Sequence, residues 1–172
     1  WKDTVFLKFV LSVFLFATAF FQLFMTEPVF FNEIMGISKT QIGQLMFVNG
    51  IIIAIFEMPV IKHFEFRKPP LWYVRYGVLI IGLSFATLML FYAKPGYAFI
   101  IALISIILNS VGEIFSMPFM NAFWAQKSTA KNRGMYAALY TLAYSTAFVI
   151  SPLLGTRIAQ YFGWNALWIT TT

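Results

Sequence analysis

The sequence predicts an all-α membrane protein: a six-helix bundle with five complete transmembrane helices and a truncated sixth. Three observations carry that prediction. The 172 residues are 60% apolar and only 10% charged, with a mean hydropathy of +0.80, whereas a soluble domain carries about 25% charged residues. Apolar runs recur at the length of about 20 residues that a helix needs to cross the hydrocarbon core. Breakers and charged residues mark the connectors between those runs, and the ten-residue alternation of transmembrane strands is absent. Such a composition excludes an ordinary soluble domain and a disordered tail. With no cysteine, it also excludes disulfide frameworks, thiolate metal sites and cysteine nucleophiles.

The predicted spans are 5–26, 42–61, 71–92, 97–124 and 134–154, with a sixth over 165–172. The first run lacks a small-residue cleavage pattern and is followed by further spans, so it is a structural helix and not a signal peptide. Glu27-Pro28 with Gly36 ends it. Lys68-Pro69-Pro70, Lys94-Pro95-Gly96, and Gly155 followed by Gly163 mark later connectors. Pro152 is expected to kink or end the fifth helix.

Lys2, Lys8, Lys62, Arg67, Lys68, Arg75, Lys127, Lys131 and Arg133 fall on one side of this topology; Lys39, Lys94 and Arg157 fall on the other. By the positive-inside rule the N-terminus of the segment and the second and fourth loops are cytoplasmic. The net charge of +6 and pI near 9.7 then belong to short loops beside anionic lipid, and nucleic acid is not an expected partner.

Charges at membrane depth cost about 2.5–3.5 kcal/mol or more, which makes them functional candidates. Two ionisable residues are expected well inside the spans, Glu57 and Glu113. Ser105, Asn109 and Glu113 recur at steps of four, with Ser116 three further on, so they are expected on one face of the fourth helix. Glu113 has two readings: a carboxyl that binds a proton, a cation or a polar substrate group, or a neutral acid that ties two helices together. Glu57, about one turn from the cytoplasmic end of its helix, can cap or pair with Lys62, Arg67 or Arg133. Gln22, Asn49, Asn121, Tyr140 and Tyr144 are weaker candidates, the two tyrosines sharing a face four residues apart. His63 lies in a loop, the 21 phenylalanines are mostly lipid-facing bulk, and no residue pattern calls for a cofactor, a metal or a catalytic residue. Ala143, Ala147, Ser151 and Gly155 form a small-residue ladder that lets a second helix approach closely.

Gly112-Glu113, Pro118, Lys131-Asn132-Arg133-Gly134, Ser151-Pro152-Leu153-Leu154-Gly155 and Phe162-Gly163-Trp164, in this order and spacing, resemble the major facilitator superfamily of secondary transporters. That family has an Arg-Gly pair opening the helix, Gly-Pro-x-x-Gly-Gly near its far end, and Gly-Trp before the next span. Here Ser151-Pro152-x-x-Gly155-Thr156 takes the place of the glycine motif, and Ala138 and Ala147 stand at earlier glycine positions. Glu57-Met58-Pro59, with Glu65 and the pair Arg67-Lys68, is similar to the family's loop after its Glu-x-Pro, although Ile61 replaces the first glycine.

The resemblance, over nearly the whole chain, implies the C-terminal half of a major-facilitator fold, helices equivalent to seven to twelve with the last one cut. It implies alternating access, with Gln22, Asn109 and Glu113 beside the substrate path. Glu65, Arg67 and Lys68 would belong to a cytoplasmic gating cluster, with Glu57 and Arg133 as further candidates. The Ala143, Ala147, Ser151, Pro152 and Gly155 face would have an interdomain role against a missing N-terminal six-helix half. The expected function is proton-coupled secondary transport of a small organic solute across a bacterial inner membrane, with efflux preferred to uptake and lipid, substrate and coupling proton as partners. The alternative is a self-contained oligomeric six-helix channel or small transporter. An intramembrane enzyme is remote, since the one His and the one Asp both lie outside the spans.

Overall fold

The computed structural model describes residues 3–65, 67–91 and 96–172. Lys2, the end of the third predicted span at Tyr92, and Lys94-Pro95 of the connector lie outside the described residues. All secondary structure among the described residues is helical.

The first span is a single helical path broken twice: α1 (Thr4–Phe20), α2 (Gln22–Met25) and α3 (Glu27–Glu33). Asp3 caps α1, its Oδ1 accepting from Phe6 N at 3.0 Å, which satisfies one of the amides that a helix start leaves without a partner. The path does not stop at Thr26 as the breaker pair suggests. Pro28 sits in the first turn of α3, where its missing N–H breaks no intrahelical bond and its fixed φ already suits the helix. The connector begins only after Glu33. There Gly36 takes φ 69°, a left-handed conformation that glycine adopts without strain, while Asn32 Nδ2 donates to Ile37 O at 2.9 Å.

A reciprocal capping box of Ser38 and Gln41 opens α4 (Lys39–Phe64). Then follow α5 (Pro70–Phe91), α6 (Ala98–Lys127), α7 (Arg133–Phe162) and α8 (Trp164–Thr171). Five of these paths are long and apolar enough to cross a membrane. Pro152 does not end α7, which runs on to Phe162. The proline frees one acceptor, Phe148 O, and a membrane helix tolerates such a loss where neighbouring helices hold it. Here Ser151 Oγ donates to Thr18 O at 2.9 Å, which ties this stretch of α7 to the first span.

α6 is the centre of the arrangement, packed on α5 on one side and α4 on the other, while α1 packs on α7 and α8 closes against α5 and α7. The α5–α6 contact is backbone to backbone. A Cβ placed on Gly77 would lie 2.6 Å from Gly112 O, and one on Gly112 would lie 2.7 Å from Gly77 O. This crossing has no counterpart in the small-residue ladder read from α7, because its two glycines lie on different helices, 35 residues apart in the chain. Gly112→Ala should therefore overpack the crossing and lower stability by about 1–3 kcal/mol. Gly43→Ala, where a Cβ meets nothing within 4 Å, should leave it unchanged. Thermal unfolding in detergent separates the two outcomes.

Candidate functional site

Glu113 lies half-buried on α6, beside the Asn49 amide of α4, with the Glu57 carboxyl and the Tyr144 hydroxyl in electrostatic range. Asn49 is itself anchored, its Nδ2 donating to Ser110 Oγ at 3.0 Å. Glu113 Oε2 is shielded and has no hydrogen-bond partner among the described residues. Tyr144 Oη points at Met120 Sδ, 3.7 Å away, and its ring is 5.0 Å from that of Tyr140. Tyr140 in turn stacks on Phe9 at 6.3 Å. A carboxyl from α6, an amide and a second carboxyl from α4 and a phenol from α7 thus converge on one region, with aromatic rings along one flank.

Gln22 and Asn109 belong elsewhere. Gln22 is buried against α7, its Nε2 donating to Ser151 Oγ at 2.9 Å and Ser151 O at 3.0 Å while its Oε1 accepts from Thr26 Oγ1. Asn109 is fully buried and turned to α5, its Nδ2 3.3 Å from Ser84 Oγ. The expected single polar face of α6 is in fact a fan. At 3.6 residues per turn each four-residue step overshoots by about 40°, so residues eight apart diverge by about 80°. Ser105 and Asn109 face α5, and Glu113 faces α4. Ser116 bonds back to Gly112 O at 2.8 Å.

The small-residue face of α7 is occupied within the chain. Ala143, Ala147, Ser151 and Gly155 are all buried, and a Cβ on Gly155 would collide with Gln22 Oε1 and lie 2.6 Å from Thr26 Oγ1. This face holds the first span. Leu142, Val149 and Leu153 are among the α7 residues left open, with Pro152 half-buried between the two faces.

At the end with the basic loops, Glu65, Arg67 and Lys68 are exposed and line a cleft of about 340 Å³ with Ile61, Pro118 and Gln126. Arg133 Nε lies 3.5 Å from Ser128 Oγ. Among the described residues the ion pair that forms is a different one, Lys127 Nζ to Asp3 Oδ2 at 3.6 Å. Asp3 Oδ2 also accepts from Tyr136 Oη at 2.7 Å, so one carboxylate ties the start of α1 to the end of α6 and the start of α7.

A further acid escaped the sequence reading. Glu27, placed by its Pro28 neighbour in a connector, is completely buried at the start of α3. Its Oε1 accepts from Ser105 Oγ at 3.1 Å, and its Oε2 has no partner among the described residues. The signal was present, since proline directly after a Thr-Glu pair also marks a helix start.

No protein-family model matches the chain, and no solved structure matches it. It is similar to the Na(+), Li(+), K(+)/H(+) antiporter of Planococcus maritimus, 26% identical over 179 residues that take in 95% of this chain and 41% of the relative. The chain therefore spans about two fifths of the length of that curated relative. Its five apolar helices are those of a multi-pass membrane protein.

The hydrogen bond from Tyr136, with that from Phe6 N and the charge of Lys127, holds the Asp3 carboxyl below its ordinary value of 3.8. A depressed acid stabilises the fold above its unfolded value and loses that contribution as the pH falls through the folded one. Asp3→Asn should thus lower the melting temperature at neutral pH, and the gap to wild type should close as the pH drops below 3.8. Melting curves of both proteins across that range check it.

Proposed function

We propose that this chain is part of a cation-coupled secondary active transporter of the major-facilitator type, working by alternating access with Glu113 as the carboxyl that exchanges a proton with the solute. The observation that carries this reading is the shielded, unpartnered Oε2 of Glu113 at a meeting point of α4, α6 and α7. A carboxyl at membrane depth is costly unless it is neutral or paired, so alternation between a proton and a positively charged or hydrogen-bonding solute suits it. The relative's name joins monovalent cations to protons and supports antiport. A small organic solute is the reading from the family resemblance, and a monovalent cation is the second reading, favoured by that relative.

Uneven cover of the helices supports a partner bundle. In their most apolar stretches α4 is 11% and α7 22% buried, against 44% for α5 and for α6. Phe47, Ile55 and Met58 on α4, with Leu142, Val149 and Leu153 on α7, stand open, which suits docking against a second set of helices. Nearby, Glu65, Arg67 and Lys68 around their cleft fit a gating role at the cytoplasmic end.

Transport by the full-length protein in proteoliposomes under an imposed pH gradient tests the assignment. Glu113→Gln should cut proton-coupled exchange of Na+, Li+, K+ or organic cations at least about tenfold, a change of about 1.4 kcal/mol or more in coupling. Unchanged exchange overturns the role of Glu113. The orientation can also be read directly, with any cysteine outside these 172 residues replaced by serine, since this stretch has none. A single cysteine introduced as Lys131→Cys should then react with a membrane-impermeant maleimide only from the cytoplasmic side, and Lys39→Cys only from the opposite side.

A further inference from the structure

The side chains around Glu27 form a second polar centre, separate from Glu113 and sharing only α6 with it. Glu27 on α3, Ser84 on α5, and Ser105 and Asn109 on α6 are all buried, at 0% exposure. Ser105 Oγ lies 3.1 Å from Glu27 Oε1 and 3.1 Å from Ser84 O. Asn109 Nδ2 lies 3.3 Å from Ser84 Oγ, which donates to Ile81 O at 2.7 Å. Glu27 Oε2 and Asn109 Oδ1, both acceptors, have no partner among the described residues, and neither does Trp168 Nε1 of α8. The Trp168 indole packs on Phe30, three residues after Glu27, and stacks on Phe85, next to Ser84.

No charged side chain among the described residues acts on Glu27 from α3, α5, α6 or α8, and Ser105 is its polar neighbour. An ionised carboxylate cannot remain there uncompensated, because burial of an isolated charge is prohibitively costly. Either a proton or a cation must accompany it. Ser105 can serve both conditions, since its hydroxyl carries one hydrogen and faces two acceptors. With a protonated Glu27, Ser105 Oγ accepts from the carboxyl and donates to Ser84 O. With an ionised Glu27 it turns and donates to Oε1. Ser84 O does not depend on this choice, as Thr87 Oγ1 also reaches it at 2.6 Å.

We propose that Glu27, Ser84, Ser105 and Asn109 form a binding site that holds either a proton or a small monovalent cation, Na+ or Li+. Its unpartnered atoms are a carboxylate oxygen, Glu27 Oε2, and an amide oxygen, Asn109 Oδ1, with the Ser84 and Ser105 hydroxyls beside them, and such oxygens suit hard cations. On cation binding the O–H bond of the neutral Glu27 carboxyl breaks, the proton leaves to solvent, and the cation takes its place, so the charge of the site is conserved. A cleft of about 330 Å³ between α3 and α7, lined by Thr26, Glu33, Thr156 and Gln160, opens beside Thr26, the residue before Glu27. The site deepens the proposed cation–proton exchange and rests on it for its role in transport. Binding is measured without transport, so failure of one reading is distinguishable from failure of the other.

The test is proton release from the detergent-purified full-length protein in weakly buffered solution, on addition of NaCl or LiCl against choline chloride, with melting temperature read in parallel. Wild type should release about one proton per cation bound and melt higher with Na+ than with choline. Glu27→Gln, nearly the same shape, should keep the melting temperature seen in choline and lose both the release and the Na+ response. Ser105→Ala, a milder change that also serves if Glu27→Gln does not fold, should weaken apparent Na+ affinity about three- to tenfold. No release from wild type, release undiminished in a folded Glu27→Gln, or unchanged affinity in Ser105→Ala overturns the site.

Discussion

Within a bilayer a polar side chain has no water to fall back on, and the arrangement of these helices follows from where each such group finds its partner. Gln22 is satisfied by Ser151 and Thr18, which pins the first span to α7. Asn49 is satisfied by Ser110, which pins α4 to α6. Asn109 and Ser105 reach Ser84, which ties α6 to α5, and Glu27 joins that group from α3. Since the apolar surfaces are nearly as content against lipid as against each other, close packing and such bonds decide which helices meet.

Close approach is the other half of that constraint. At Gly77 and Gly112 the backbones of α5 and α6 touch, and at Gly155 the backbone of α7 leaves just enough room for Gln22 and Thr26. These contacts hold α6 at a fixed rotation, which sends Ser105 and Asn109 to one neighbour and Glu113 to another. Glu27 and Glu113 consequently sit in different seams. Glu113 is half-buried beside α4 and α7, the two helices with the least buried apolar stretches, and Glu27 is fully buried. A half-buried carboxyl suits contact with a solute, whereas a fully buried one suits a small ion or a proton.

Much of the helical architecture was legible in the chain because hydropathy and length respond to the bilayer directly. The predicted 42–61 lies inside Lys39–Phe64, and 97–124 nearly coincides with Ala98–Lys127. Proline was the main source of error. Pro28 reads as a breaker yet occupies a first turn, where it costs nothing, and Pro152, expected to kink or end its helix, does not end it, because the stretch around it is held to the first span by Ser151. The first of these errors concealed Glu27. Spacing by fours also overstated how well a face stays aligned, so Asn109 and Glu113 looked like one site.

The sequence by itself determined that the chain is a set of apolar helices with few, costly polar groups, because composition and run length answer to the solvent around them. It also singled out Glu113, since a lone acid in a long apolar run stands out without knowledge of its neighbours. Only the tertiary structure decided which seam each polar group enters, that the small-residue face of α7 holds the first span, and that Glu27 is buried among Ser84, Ser105 and Asn109. Those outcomes depend on helix rotation and on contacts such as Ser105 to Glu27, 78 residues apart in the chain, which no local pattern encodes.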